Sequence, residues 1–170
     1  MNTECLDSFR IQCEAHLPQA IDEILSKEKD RKLSAIGFIT TDDFYGFYLC
    51  WDYENTNIRE SFEWQEASYP EFLYQPLVEA VDSCKEIDFT TPSDEKWDFA
   101  QEILSILGNA IRLLPEKIFQ KNDYSRTDIL FFATMSDGDY VDEMLDESLV
   151  LLNPREIVLA YRRREQNDEA

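Results

Sequence analysis

The sequence predicts an α+β protein in one domain, with a mostly antiparallel sheet of about four strands packed by helices. Three observations carry that reading. Residues 33–53 hold two apolar, aromatic-rich runs around a polar break at Thr40, Thr41, Asp42 and Asp43, the pattern of two paired strands. Trp97, Ala100, Leu104, Leu107, Ile111 and Leu114 recur at steps of three and four, which is one helix face. Residues 128–135 form a short continuous apolar run, the signature of a buried strand. A length of 170 residues suits one domain with a real core. No linker, repeat or low-complexity tract divides the chain.

The first helix is expected over residues 3–30, with Leu6, Phe9, Cys13, Leu17, Ile21, Ile24 and Leu25 on its apolar face. Pro18 should kink it or split it in two. Lys27, Lys29, Arg31 and Lys32 close it, where cations favour the negative end of the helix dipole. In the strand pair that follows, both alternating rows are largely apolar, so the sheet should be covered on both faces. Gly37 and Gly46 would permit a bulge or a close backbone approach. A third strand, wet on one face, is expected over residues 58–67. There Ile58, Glu60, Phe62 and Trp64 alternate with Arg59, Ser61, Glu63 and Gln65.

A second helical region should run from Tyr69 and Pro70 to about Lys85, with Leu73, Leu77, Val78, Val81 and Cys84 inward and a kink or restart at Pro76. Thr91, Pro92, Ser93, Asp94 and Glu95 read as the start of a buried helix that Pro115 kinks or ends. The apolar run at 128–135 is placed centrally in the sheet and ends in a turn at Ser136–Asp139. An acidic helix follows with Val141, Met144, Leu145 and Leu149 inward. Asn153 and Pro154 start a last helix through Ile157, Val158, Ala160 and Tyr161, and residues 166–170 should fray.

Charge narrows the function classes. The net charge is −20, and residues 33–95 hold 2 bases against 14 acids, or −12. Such a field repels nucleic acid and anionic membrane and attracts a basic protein. No apolar run reaches transmembrane length, and the N-terminus shows no signal pattern, so a cytoplasmic protein is expected. The cysteines at 5, 13, 50 and 84 form no CxxC pair and read as free, mostly buried thiols.

Catalytic parts are scarce. Asp137, Asp139, Asp142, Glu143, Asp146 and Glu147 fail the calcium-loop pattern, which places Asp142 at the sixth position and Ser148 at the twelfth. They read instead as a solvated helix face. The single histidine, His16, could share a face with Cys13, but no spacing supplies further zinc ligands. GxSxG, Walker-type, GxGxxG and HExxH motifs are absent. The pairs Asp42/Asp43 and Asp52/Glu54 could serve a small hydrolase only if they converge on one cleft. The expectation is a non-enzyme with no metal and no cofactor.

Aromatics crowd residues 44–74, where acid density is also highest. Trp51, Tyr53 and Trp64 are expected exposed beside Asp52, Glu54, Glu63 and Glu66, as anchors and steering charges for a basic protein partner. A regulatory or scaffold protein binding another cellular protein is the alternative. The stretches GFITTDDFYGFYLCW, DILFFATMSDGD and ESLVLLNPREIV together resemble an uncharacterised bacterial domain family of small, acidic, cytoplasmic α+β proteins. Some of its members lie beside polymorphic toxin systems. The resemblance implies an immunity role against a basic toxin or effector and brings no catalytic residue with it. The third-strand region departs from the family in being more acidic.

Overall fold

A computed structural model describes residues 3–53 and 57–170. A 3-10 turn at Thr3–Leu6 leads into α1 (Asp7–Lys27), then β1 (Ala35–Thr40) and β2 (Phe47–Asp52). A 3-10 helix at Ile58–Glu63 precedes β3 (Glu66–Ser68). Then come α2 (Glu71–Ser83), α3 (Asp94–Arg112) and the short α4 (Glu116–Gln120). A 3-10 turn at Arg126–Asp128 precedes β4 (Leu130–Met135), α5 (Val141–Leu152) and α6 (Arg155–Asp168). The strands form one mixed sheet in the order β3-β2-β1-β4. Two of its three pairings are antiparallel, and β1 runs parallel to β4.

Both faces of the sheet are covered, as the doubly apolar strands predicted. Alternation along β1, β2 and β4 sends Ile36, Phe38, Leu49, Trp51, Phe131 and Ala133 into one core with α1, α2 and α3. It sends Ala35, Ile39, Cys50, Leu130 and Phe132 into a second core with α5 and α6. Gly37 matters to that second layer, because a Cβ there would sit 2.4 Å from the Phe132 ring. The close approach is real, and pairing runs through Gly37 on both sides without a bulge.

Several expectations are corrected. Residues 58–67 are not one strand. Ile58 and Ser61 are buried three residues apart, a 3-10 spacing, and the Asn57 side chain accepts from the Arg59 N–H at 3.0 Å to start that helix. Only Glu66–Ser68 pairs with β2. Neither Pro18 nor Pro76 ends its helix; α1 and α2 run through them. The cap of α3 is Ser93 rather than Thr91, its hydroxyl accepting from the Lys96 N–H at 3.1 Å. α6 continues to Asp168, past the expected fray.

The largest correction concerns β4, which lies at the sheet margin and not at its centre. It reads as central because it is buried on both faces and along its outer edge. Asn153 accepts from the Phe131 N–H at 2.8 Å and donates to the Phe131 carbonyl at 2.6 Å. The Ser148 hydroxyl accepts from the Ala133 N–H at 2.9 Å and lies 3.0 Å from its carbonyl. These two side chains supply partners that another strand would otherwise provide.

Candidate functional site

The residues proposed from sequence divide sharply. Trp51 is 2 % exposed, because β2 alternation turns it into the first core with Leu49. Trp64 is half-buried, its indole edge-to-face with Phe132 at 5.6 Å. Tyr53 is half-buried, and burial raises its pKa. Asp52 is half-buried, and its carbonyl accepts from both the Ser34 N–H and hydroxyl at 2.9 Å. Glu63 and Glu66 are exposed, and Glu66 stands opposite Trp51 in the β2–β3 register. Glu54 lies outside the described residues. The expected exposure of Trp51 and Trp64 is therefore corrected: Trp51 is core because it lies on a strand between two helical layers, and Trp64, between the 3-10 helix and β3, packs its indole against the second core.

The two aromatics at the end of β2 are also already occupied. Lys27 Nζ lies 5.5 Å from the Trp51 ring, and the Arg31 guanidinium lies 4.4 Å from the Tyr53 ring. Basic side chains at the end of α1 and in the segment after it thus cover these two rings from within the chain.

The other end is different. Phe44 and Gly46 both have positive φ, at 57° and 86°. Phe44 is fully buried against Phe99 at 5.4 Å and Phe89 at 6.2 Å, which turns Tyr45 outward. Gly46 lets the chain press on α2, where a Cβ would meet Tyr74 Cδ2 at 2.5 Å. The turn is fastened by the Thr40 hydroxyl donating to the Gly46 carbonyl at 2.8 Å and by Thr41 Oγ1 accepting from the Tyr45 N–H at 3.1 Å.

Two tyrosine pairs line this margin of the molecule, a tyrosine corner in the sense that neighbouring stretches of β2 and α2 carry them. Tyr45 and Tyr74 meet edge-to-face at 5.5 Å, and the neighbouring Tyr45 hydroxyl, then burial, raises the Tyr74 pKa. Tyr48 and Tyr69 lie ring against ring at 5.2 Å, one step beyond the Leu49–Ser68 pairing. Burial first, then the neighbouring Cys50 and Tyr69, push the Tyr48 pKa up to about 12. Tyr45, Tyr69 and Tyr74 are 56 %, 76 % and 39 % exposed. Sequence reasoning counted these tyrosines among the dense aromatics and did not select them. The available signal was Gly46 and Pro70, which mark the two turns that turn them out.

Exposed acids Asp43, Glu63, Glu66 and Glu71 flank this stretch in sequence, and residues 33–84 contain one base, Arg59. Arg59 is committed elsewhere, to Asp142 at 2.6 Å and Glu165 at 3.7 Å. Behind the turn, the fully buried Lys96 Nζ sits 3.0 Å from Asp42 Oδ2, a contact by charge rather than a well-aligned hydrogen bond. The apolar-stripe reading of α3 passed over Lys96.

The carboxylate pairs do not converge. The β1–β2 register places Thr40 opposite Phe47 at one end and Ala35 opposite Asp52 at the other. Five strand steps put Phe47 and Asp52 about 17 Å apart along the hairpin, with Asp42 in the turn beyond Phe47's partner Thr40, too far from Asp52 to flank one glycosidic bond. At the Asp52 end, a cavity of about 430 Å³ is lined by Ser34, Arg59, Tyr161, Arg164, Glu165 and Asp168 among others. Its charges are mixed, and the Tyr161 hydroxyl donates to Glu165 at 2.5 Å.

Cys13, Cys50 and Cys84 are buried and Cys5 half-buried, none of them in a disulfide. Among the described residues no three metal-ligating side chains gather, and no helix is long and apolar enough to cross a membrane. No family model, curated protein or solved structure matches the chain.

Proposed function

We propose that this is a non-catalytic binding domain for a basic protein, acting as an immunity-type inhibitor of a basic bacterial toxin or effector. The observation that carries the reading is the one-sided charge of the β2–β3–α2 side. Asp43, Glu63, Glu66, Glu71, Glu79 and Asp82 are exposed there, and Arg59, the one base in residues 33–84, is held by α5 and α6. A field of this sign raises the encounter rate with a cationic surface by about 10- to 1,000-fold at low salt. An interface of roughly 1,600 Å² would be enough for stable capture. The immunity role itself rests on the sequence resemblance.

The test is co-expression with a neighbouring toxin-like gene product, scored for growth, together with association kinetics across ionic strength. The intact chain should rescue growth, and Glu63→Lys with Glu66→Lys should abolish rescue without loss of folding. Association should slow at least tenfold between low and high salt. An association rate indifferent to salt would overturn the electrostatic reading.

A further inference from the structure

We infer that the tyrosine corner of Tyr45, Tyr48, Tyr69 and Tyr74 is the docking site, and that it receives arginine side chains of the partner protein. The inference rests on the basic-partner reading above and adds the place and the residue recognised. Its ground is a contrast within the molecule. Among the described residues, five aromatic rings carry one of the chain's own cations: Trp51, Tyr53, Tyr124, Tyr140 and Phe131. The tyrosines of the corner carry none. Tyr45, Tyr69 and Tyr74 are exposed, Tyr48 is half-buried against Tyr69, and Arg59, the one base in residues 33–84, is engaged elsewhere.

The chain's own pairs also indicate which cation fits. The two arginines sit at 4.4 Å from their rings, and the three lysines at 4.7, 5.5 and 5.9 Å. A planar guanidinium stacks flat on an aromatic face while its edge donates in a fixed bidentate fork to carboxylates, a geometry that an ammonium does not offer. Glu71 lies two residues from Tyr69 in sequence and is exposed to accept such bonds. A second copy of this chain is a poor occupant, because two bodies of −20 repel. Shape also favours this margin: β3 is three residues long and ends at Pro70, so it offers side chains more than a strand edge.

The experiment uses the full chain and fluorescent oligo-arginine and oligo-lysine peptides of equal length, titrated at low and moderate salt. Oligo-arginine should bind roughly fivefold or more tightly than oligo-lysine, the size of a few exposed cation–π contacts. Changing Tyr45, Tyr69 and Tyr74 to serine should erase that preference and weaken oligo-arginine about tenfold. Changing the same three to phenylalanine should retain it, because the faces remain. The single change Tyr69→Ser, at the most exposed ring, guards against misfolding of the triple variant and should show part of the loss. Equal binding of both peptides by wild type, or a serine variant that keeps the preference, overturns the corner while leaving the basic-partner reading in place. No binding of either peptide at low salt overturns both.

Discussion

The two margins of the sheet solve the same problem in opposite ways. At β4, an α-helix supplies the missing strand: Ser148 and Asn153 satisfy the outward backbone of Ala133 and Phe131, and every residue of the strand is buried. Arg126 adds its guanidinium to the Ile129 and Leu152 carbonyls at 3.0 and 2.6 Å, closing the strand's entry against the end of α5. At β3, no such cover exists among the described residues. That margin is kept short, ended by Pro70, charged by Glu66, and overlaid with exposed tyrosines. Both devices prevent indiscriminate pairing of edges. Only the second leaves an exposed surface, and the proposed docking site lies there.

The comparison can be broken most severely at the sealed margin. Asn153→Ala removes both partners of the Phe131 backbone and should cost about 1–3 kcal/mol, the range for stranding buried polar groups. Combined with Ser148→Ala it should also open an apolar edge. Denaturant unfolding should report the loss, and sedimentation should report new self-association. A double variant that stays monomeric and as stable as wild type would remove the distinction between the margins.

An effect below that of the double variant, and similar to that of Asn153→Ala alone, is expected at the turn that presents Tyr45. Gly46→Ala places a Cβ against Tyr74 at a backbone angle of φ 86° and should cost about 1–3 kcal/mol. Because the clash is with α2, Tyr74 must move, and the variant should lose oligo-arginine binding more than its stability alone predicts.

The smallest effect tests whether the open margin is dispensable to the fold. Tyr69→Ala should change stability by no more than about 0.5 kcal/mol, as expected of an exposed side chain. It should nonetheless shift the titration of its neighbour. Tyr48 is pushed up to about 12 by burial, with Cys50 and Tyr69 adding to it, so its phenol should ionise earlier once Tyr69 is gone. The sign for stability follows. The folded pKa lies above the unfolded value near 10, so the contribution is whole below about pH 10 and is lost as pH rises toward 12. Phenolate absorbance during alkaline titration of wild type and variant reads both.

Local pattern was enough to determine the class of the fold, the order of its main elements and the double burial of its sheet. The reason is that strand alternation and helix periodicity are short-range properties, visible in Ile36 to Ile39 or in Ala100 to Ile111 without knowledge of neighbours. It was also enough to mark the acid-rich, aromatic segment. What only the tertiary structure decided was which side of each residue meets what. An apolar run such as Leu130–Met135 looks the same whether another strand or the side chains of Ser148 and Asn153 seal its edge. A buried Lys96 looks like any helix lysine until Asp42 is brought to it from residues far away in sequence. Trp51 and Tyr53 look like exposed anchors until the end of α1 and the segment after it bring Lys27 and Arg31 over their rings. The candidate surface therefore moved from one end of the hairpin to the other, because ring faces are claimed by long-range contacts that no local pattern records.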